Sequence, residues 1–408
     1  MPTYLVNLAE PLPESLGDEL AKRIYYLADG IDAFALVRSE DRVTGVEITT
    51  RADADPAGLA RRLDHVSRTE VRPQRLTAAA PLWTSPHPPA ASSGTFERLR
   101  ELGAVHEMGP GAVATGRLFS EVLDALDAGV LALATDAFGA EEFRYPALIS
   151  TAALHKGGYL TSFPQFAMTA SCVSSDLDVY RAFVDGMAAA AEPSAGAPPS
   201  EDADSPAAVI DRYSRHSGYC LPPTMCFHTY LQLAGRPLPA GGAVVTSRGK
   251  SFRFESRYSR SLERLWDFTI REIVFLGDTD TVARRRADFL TAACGYVGEL
   301  GLAGWVEPAS DPFFAAPTVP RRLLAQRLTA AKYELRLPVD DGRSVAAASF
   351  NVHGTTFGES YRITLPNGTT AGTACVGFGL ERLAFAFFCR HGTDPTGWPA
   401  ALRARLPS

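Results

Sequence analysis

The amino-acid sequence predicts an α+β fold with a mostly antiparallel sheet, preceded by a small α+β unit of the ferredoxin-like type. Strand-like runs follow one another with long helical connections and hairpin-like pairs, which is typical of an antiparallel α+β domain. Residues 1–75 have the order strand, helix, strand, strand, helix, strand. Residues 76–96 are rich in Pro, Ala and Ser, which is typical of a linker. We therefore expect a small domain at 1–75, a linker at 76–96 and the main domain at 97–408.

The elements of the small unit follow from its hydrophobic periodicity. Leu16, Leu20 and Ile24 recur at helical spacing and predict a helix over about 14–27. Asp53 or Asp55 is expected to cap a second helix, because Pro56 falls in its first turn. Strands are predicted at 3–9, 31–38, 42–50 and 69–73. This arrangement occurs with many functions and indicates none by itself.

The main unit mixes long helices with strands. Helices are predicted at about 116–134 and 279–302, and extended segments near 141–150, 243–257, 266–277, 331–338, 344–353 and 360–365. In residues 188–208, acidic, Pro and Ala residues replace aromatic and β-branched ones. This composition predicts a mobile insertion.

Composition limits the possible function classes. The chain has 408 residues, a net charge of -6 and six cysteines. No CxxC pair or membrane-length apolar run occurs, so we expect a cytosolic protein without a disulfide framework or a membrane span. The acidic balance disfavours a large non-specific nucleic-acid surface.

Two short stretches carry candidate chemistry. In Ser251-Phe252-Arg253-Phe254-Glu255, a strand would place Arg253 and Glu255 on one face, where they suit a phosphate and an exocyclic amine. The alternative is a cross-strand salt bridge. In GFGLER (377–382), two glycines precede a helix that carries Arg382. The alternative there is an ordinary helix start with an exposed arginine.

In this order, the two stretches resemble motifs 2 and 3 of class II aminoacyl-tRNA synthetases, and RYPALIS (144–150) resembles the dimer-forming motif 1. Within that superfamily the chain resembles the amino acid:[carrier protein] ligases, which are related to the methanogen-type seryl-tRNA synthetases. The resemblance covers about residues 100–392. The stretches that support it are GGYLTSFPQF (157–166), LPPTMCFHTY (221–230), RPLPAGG (236–242), DFTIREIVFLGD (267–278), ASDPFF (309–314), AKYELRLPV (331–339), ASFNVHGTTFGESY (348–361) and TACVGFGLERLA (373–384).

The resemblance implies a class II synthetase-type catalytic domain with a zinc ion held by Cys226, Glu272 and Cys375. Spacing alone does not distinguish these residues from buried thiols and a paired carboxylate. Two thiolates and a carboxylate leave one tetrahedral position open. In the family, the α-amino group of the substrate fills that position.

The resemblance also implies an ATP site with Mg²⁺. Arg253 would bind the α-phosphate, Glu255 the adenine amino group and Phe268 the adenine ring. Arg264 is a candidate for the γ-phosphate, and Arg382 for the terminal phosphates opposite it.

Four residues on later strands complete the implied site. Glu334, with Ser349 and Asn351, would form the wall that faces Mg²⁺ and ATP. Lys332 would reach substrate or phosphate, or would be a solvated strand lysine. His353 either lines the site or is structural.

The implied reaction converts a small amino acid (glycine, alanine or serine) to an aminoacyl adenylate. Residues 1–75 carry ten Lys and Arg against thirteen Asp and Glu and contain no basic arm. The phosphopantetheine thiol of a carrier protein is therefore favoured as the acceptor over tRNA. Seryl-tRNA synthetase-like aminoacylation and transfer to a small-molecule amine remain alternatives. A homodimer is expected, and Arg284, Arg285 and Arg286 are a candidate surface for docking an acidic carrier.

Overall fold

The computed structural model describes residues 1–28, 30–51, 53–73, 80–89, 91–190, 205–255, 261–309, 331–340 and 342–407. Most of the insertion predicted at 188–208 and of the ASDPFF stretch lies outside these ranges. None of the helices in the described ranges has the length and apolar character needed to span a membrane.

The N-terminal unit is a three-stranded antiparallel sheet with two helices. Its sheet order is β1-β3-β2, so β1 and β2 run parallel on either side of β3, as in a split βαβ unit. The unit has a hydrophobic core of its own. Its elements are β1 (Thr3–Pro13), α1 (Gly17–Ile24), β2 (Ile31–Ser39), β3 (Arg42–Thr50) and α2 (Pro56–Val66).

The strand predicted at 69–73 is wrong, because α2 continues into a π-helical turn at Ser67–Val71. Val66 and Val71 are both buried on the inner side of this continuous helical segment. Glu70 is also buried, and its Oε2 accepts a hydrogen bond from Arg23 Nε at 3.3 Å. Helical geometry therefore places all three of these side chains in the interior. In the part of the unit that is described, the fourth strand of the ferredoxin-like order is absent.

The main unit is built on an eight-stranded sheet of order β4-β13-β14-β15-β16-β12-β11-β7. Every pairing in it is antiparallel except that of β7 with β11. The result confirms the mostly antiparallel α+β prediction. The strands of this sheet are β4 (Trp83–Thr84), β7 (Glu141–Phe143), β11 (Ala243–Phe252), β12 (Asp267–Gly277), β13 (Trp305–Pro308), β14 (Lys332–Asp340), β15 (Arg343–Gly354) and β16 (Gly372–Gly379).

Smaller sheets and helices surround it. The remaining strands are β5 (Val105–Gly109), β6 (Ala112–Thr115), β8 (Ile149–Ser150), β9 (Thr169–Val173) and β10 (Ser214–Cys220). The helices are α3 (Thr95–Glu101), α4 (Arg117–Ala132), α5 (Thr151–Lys156), α6 (Tyr159–Ser162), α7 (Leu177–Ala189), α8 (Pro206–Tyr213), α9 (Cys226–Gln232), α10 (Thr279–Glu299), α11 (Thr356–Tyr361), α12 (Leu380–His391) and α13 (Ala400–Arg403).

The strand predicted at 360–365 is wrong, because helix α11 extends to Tyr361. Tyr361 is fully buried, and its hydroxyl donates to the Ala153 carbonyl at 2.7 Å. Arg362 then adopts a left-handed conformation with φ of 56°, which ends the helix. The burial of Tyr361, with its hydroxyl hydrogen-bonded, thus favours the helix although the neighbouring residues have a preference for strands.

The two faces of the large sheet have different partners. Ile273 and Phe275 of β12 point to a core that includes α4, α10 and α12. Glu272 and Val274 alternate with them and point to the opposite face, where Val274 joins a second core with α5 and α9. The candidate site lies on this second face.

An ion-pair network ties α4 to the first face. Arg271 Nε and Nη2 donate to the two oxygens of Asp127 at 2.7 and 2.8 Å. Arg271 Nη1 donates to Glu142 Oε1 at 2.6 Å. The side chains of Arg271 and Asp127 are only 2% and 6% exposed, so this pair is a buried link between β12 and α4.

Candidate functional site

A cavity of about 260 Å³ on the second face of the sheet contains nearly all of the predicted site residues. Arg264 does not line it, but it forms an ion pair with Glu255, which does. The predicted residues that line the cavity are Cys226, Arg253, Glu255, Phe268, Glu272, Lys332, Glu334, Ser349, Asn351, Cys375 and Arg382. His353 also lines the cavity, which favours the site-lining alternative for this residue over the purely structural one.

One end of the cavity holds Cys226, Glu272 and Cys375. Cys226 begins α9, while Glu272 on β12 and Cys375 on β16 are diagonal neighbours across two paired strands. The three residues are buried, and one ligand atom from each lies within 4.8 Å of the others. Residues separated by 46 and 103 positions in the chain thus meet at one point.

Hydrogen bonds orient this cluster. The Cys226 backbone N–H donates to Glu272 Oε2 at 2.8 Å, and the Thr224 hydroxyl donates to the same oxygen. Asn351 Nδ2 lies 3.6 Å from the Cys375 sulfur, and His353 Nε2 lies 3.8 Å from it. Such outer partners orient metal ligands and set their basicity.

The electrostatics of the cluster are those of acidic groups crowded away from water. Burial raises the pKa of Cys226 well above its ordinary value. The Cys226 thiol, together with His353 and Asn351, holds the pKa of Cys375 well below it, against the effect of burial. Burial and the neighbouring Cys375 raise the pKa of Glu272 to about 8.

The donor set fits a tetrahedral metal. Two thiols and one carboxylate are among the ligands that Zn²⁺ takes, and three protein ligands leave one position open. A divalent cation would also relieve the cost of burying three acidic groups together.

The other end of the cavity begins where β11 ends. β11 stops at Phe252, so Arg253 and Glu255 follow the strand rather than alternate within it; nevertheless both line the cavity. Arg253 Nε donates to the Pro223 carbonyl at 3.3 Å, and its guanidinium lies 5.4 Å from the centre of the Phe268 ring. A cation and an aromatic ring are therefore presented together, with the guanidinium over the ring.

Two further arginines flank this end. Arg264 Nη1 donates to Glu255 Oε2 at 2.7 Å. Arg382, in the first turn of α12, donates from Nε to the Glu263 carbonyl at 2.7 Å and from Nη1 to the Ala346 carbonyl at 3.2 Å. Burial lowers the pKa of Arg382 to about 10, and the charge of Arg264 acts in the same direction. This crowding of cations would be relieved by an anion.

The wall opposite is formed by β14 and β15. Lys332 Nζ lies 3.3 Å from Glu334 Oε1. Burial tends to raise the pKa of Glu334, but Lys332 and Arg336 outweigh it and the pKa is lowered. Ser349 is opposite Glu334 in the strand register, and Asn351 is opposite Lys332. Lys332 is only 9% exposed, so it is not the solvated lysine of the alternative interpretation.

Several residues that line the cavity are not indicated individually by the sequence. Thr224, Tyr159 and Phe357 fall within stretches that carry the resemblance, but no spacing rule indicated them. Glu381 precedes Arg382, and its carboxylate accepts from the Thr269 N–H and hydroxyl, with Oε1 2.7 Å from the hydroxyl. It holds β12 to α12, which only the tertiary structure reveals.

The arginine triplet does not lie at the cavity. Helix α10 packs on the first face of the sheet through Val282, Phe289 and Leu290. The Arg286 guanidinium lies 5.1 Å from the centre of the Tyr333 ring and is partly buried. The candidate docking surface at 284–286 therefore lies across the sheet from the site, and Arg286 has a packing role.

Comparisons with known proteins show which proteins the chain is similar to. No model of a protein family matches the chain. A Bradyrhizobium diazoefficiens protein named amino acid–[acyl-carrier-protein] ligase 1 is 35% identical over 301 residues, which are 73% of this chain and 86% of that protein. The type-2 serine–tRNA ligase of Methanococcus aeolicus is 27% identical over 274 residues, which are 66% of this chain but 50% of that protein.

A solved structure shares the fold. The structure of M. kandleri SerRS with A. aeolicus tRNASec superimposes with a TM-score of 0.69 at 20% identity. The likeness covers 99% of this chain and 77% of that chain, so it includes the N-terminal unit.

Proposed function

The chain belongs to the amino acid–[acyl-carrier-protein] ligase family, and from this premise we propose that it activates a small amino acid with ATP and transfers it to the phosphopantetheine thiol of a carrier protein. The observation that carries the proposal is that one cavity joins a cationic, aromatic end to a buried Cys-Glu-Cys cluster. The first suits ATP and the second suits the amino group of an amino acid.

In the activation step, a carboxylate oxygen of the amino acid attacks the α-phosphorus of ATP and pyrophosphate leaves. Arg253 would bind the α-phosphate and stabilise the charge that develops there. Phe268, beside that guanidinium, would stack on adenine. Glu255 would accept a hydrogen bond from the adenine amino group, which gives ATP selectivity over nucleotides without that group.

The terminal phosphates of ATP would be bound by the remaining arginines, Arg382 and Arg264. Arg382 is held by two backbone carbonyls, so its position is set before ATP binds. Arg264 is paired with Glu255 in the structure, so a γ-phosphate contact requires this ion pair to open or to be shared. Glu334, with Ser349 and Asn351, would face the Mg²⁺ that accompanies ATP, and Lys332 would reach substrate or phosphate.

At the other end, Cys226, Glu272 and Cys375 would hold a zinc ion. When bound, Zn²⁺ supplies an open coordination position for the α-amino group. Thr224 and the Cys226 N–H hold the Glu272 carboxylate in place for this role.

The surroundings of the cluster support a small amino acid. Phe227 lies edge-on to Tyr159 and Phe357, with ring centres 5.7 Å apart in both pairs. Tyr230 stacks on Phe357 at 4.5 Å. This aromatic wall leaves little room for a long side chain, which favours glycine, alanine or serine. Phe350, by contrast, packs in the core on the other face of the sheet and does not shape the pocket.

In the transfer step, the thiol sulfur attacks the carbonyl carbon of the adenylate, the bond to AMP breaks and the thiol proton leaves to solvent. A positioned thiol reacts with an adenylate without a dedicated base. The acidic N-terminal unit favours this acceptor over tRNA. We also propose that the protein is a homodimer through the 144–150 segment, which light scattering would test.

The decisive experiment is ATP–pyrophosphate exchange with each of the twenty amino acids, on protein whose zinc content is measured by mass spectrometry. We expect exchange with a small amino acid and one zinc per chain. Cys226→Ser should lose both zinc and exchange, whereas Cys294→Ala, a buried thiol in the core on the other face, should retain both. Zinc-free protein with full exchange would refute the metal site.

A second assay identifies the acceptor. Phosphopantetheinylated carrier protein and bulk tRNA are offered with ATP and the preferred amino acid, and intact mass and acid-precipitable label are measured. Loading of the carrier alone supports the proposal. Labelled tRNA would favour seryl-tRNA synthetase-like activity, and exchange without either product would point to a small-molecule amine.

A further inference from the structure

A tyrosine of the N-terminal unit, Tyr26, packs against residues of the main unit beside the cavity. Tyr26 follows α1, and its hydroxyl donates to the Phe254 carbonyl at 3.4 Å. Its ring lies edge-on to Phe166, with ring centres 6.2 Å apart and planes at 84°. Tyr26 therefore packs against the second core of the main unit, whereas its neighbours Tyr25 and Leu27 belong to the N-terminal unit's own core.

Phe254 is the residue between Arg253 and Glu255, and it is anchored on both sides. Its N–H donates to the Phe166 carbonyl at 3.1 Å, and its carbonyl accepts from Tyr26. Because peptide groups are planar, these two bonds fix the peptide planes before and after Phe254. The planes in turn set the directions in which the two flanking side chains enter the cavity.

The surroundings of Tyr26 keep its hydroxyl protonated, and so keep it a hydrogen-bond donor. Burial and the nearby Glu255 carboxylate raise the pKa of Tyr26 well above its ordinary value, although Arg264 opposes this. Lys22, one helical turn earlier, is close enough that its charge contributes, after Lys332 and Arg336, to lowering the pKa of Glu334. The end of α1 thus lies beside the cationic, aromatic end of the cavity.

We propose that Tyr26 is a positioning residue of the ATP site, through which the N-terminal unit holds the 253–255 segment in the geometry that binds ATP. The inference rests on the proposed function, because it takes Arg253 and Glu255 as the residues that contact the α-phosphate and adenine. It makes the N-terminal unit part of the active site.

The test measures binding of ATP and of inosine triphosphate, which lacks the adenine amino group, by calorimetry on full-length protein. Tyr26→Phe removes only the hydroxyl. Loss of this hydrogen bond should weaken ATP binding about 2- to 10-fold and reduce the preference for ATP over the inosine nucleotide. Zinc content and the KM for the amino acid should not change.

Tyr4→Phe is the matched control, since the Tyr4 hydroxyl accepts from the Ala54 N–H at 3.2 Å within the N-terminal unit. It should leave nucleotide binding unchanged. Unaltered ATP affinity and nucleotide preference in Tyr26→Phe would overturn the inference, as would an equal effect of Tyr4→Phe or an equal rise in the KM for the amino acid. Wild-type protein that binds ATP but exchanges no amino acid would instead count against the proposed function, and the calorimetry would still decide the role of Tyr26.

Discussion

Replacing Asp127 with alanine should destabilise the protein strongly, although Asp127 is on the face of the sheet away from the cavity. The substitution removes both hydrogen bonds that join Arg271 to α4, at 2.7 and 2.8 Å. Arg271 is only 2% exposed, so water cannot replace them without a rearrangement. Glu142, at 2.6 Å, remains as a partner, and its side chain is 33% exposed.

The magnitude follows from the cost of a half-broken buried pair. Removing one partner of such a pair costs about 3–5 kcal/mol, and the remaining Glu142 contact places the loss near the lower limit, at about 3 kcal/mol. For a unit of the size predicted at 97–408, with an unfolding entropy of about 2.1 cal/mol/K per residue, this corresponds to a fall in Tm of roughly 4–5 °C. The double variant Asp127→Leu with Arg271→Met leaves no buried charge unpaired at this contact, so it should be more stable than Asp127→Ala.

Thermal unfolding followed by near-UV circular dichroism, together with urea titration, measures these differences. Asp124→Ala is the control, because Asp124 is 60% exposed and its pair with Arg248, at 2.7 Å, is near the surface. It should cost at most about 1 kcal/mol. If Asp127→Ala were no worse than Asp124→Ala, or if the double variant were no more stable than Asp127→Ala, the reasoning on the buried pair would be refuted.

Metal-free protein should lose stability as pH rises from 4.5 towards about 8, because burial raises the folded-state pKa of Glu272 to about 8 and the folded protein holds a proton that the unfolded chain has released. Urea titrations of chelator-treated protein measure the slope, which Glu272→Gln should flatten; an unchanged slope contradicts this assignment. Phe268→Ala should raise the KM for ATP about tenfold or more through lost stacking, with the KM for the amino acid unchanged in exchange assays and Phe268→Tyr close to wild type; a shift in both KM values would argue against stacking. Gly129→Ala should cost about 1–3 kcal/mol in thermal unfolding, because the new Cβ would lie 2.1 Å from the Tyr296 hydroxyl, whereas Gly295→Ala, with open space around it, should be tolerated; equal Tm values would contradict the packing argument.

The sequence predicted the class of fold and most of the cavity, because both depend on short segments of recognisable pattern. The strand-like runs predict β12 and β15, and the stretches 251–255 and 377–382 point to Arg253 and Arg382. The errors at 69–73 and 360–365 share a cause, because each segment has a buried side chain that is hydrogen-bonded to a residue far away in the sequence. Glu70 pairs with Arg23, and Tyr361 bonds to the Ala153 carbonyl. The pattern of residues within a short segment does not indicate such a partner. Tyr26 was missed for the same reason, because its contact with Phe254 spans 228 residues.

Neighbouring residues of β12 show how the sheet separates stability from chemistry. Arg271 and Glu272 are adjacent charged residues, both 2% exposed, yet alternation sends them to opposite faces. Arg271 meets Asp127 and Glu142, so its charge is neutralised within the protein. Glu272 meets two thiols and two hydrogen-bond donors but has no cation in its hydrogen-bond contacts among the described residues, and its pKa is raised to about 8. A buried acid that is oriented but not neutralised costs stability in metal-free protein, and a bound cation would remove this cost, which adds to its affinity. The same strand therefore stabilises the fold on one face, through Arg271. On the other face it presents an acidic group, Glu272, that a bound cation would neutralise.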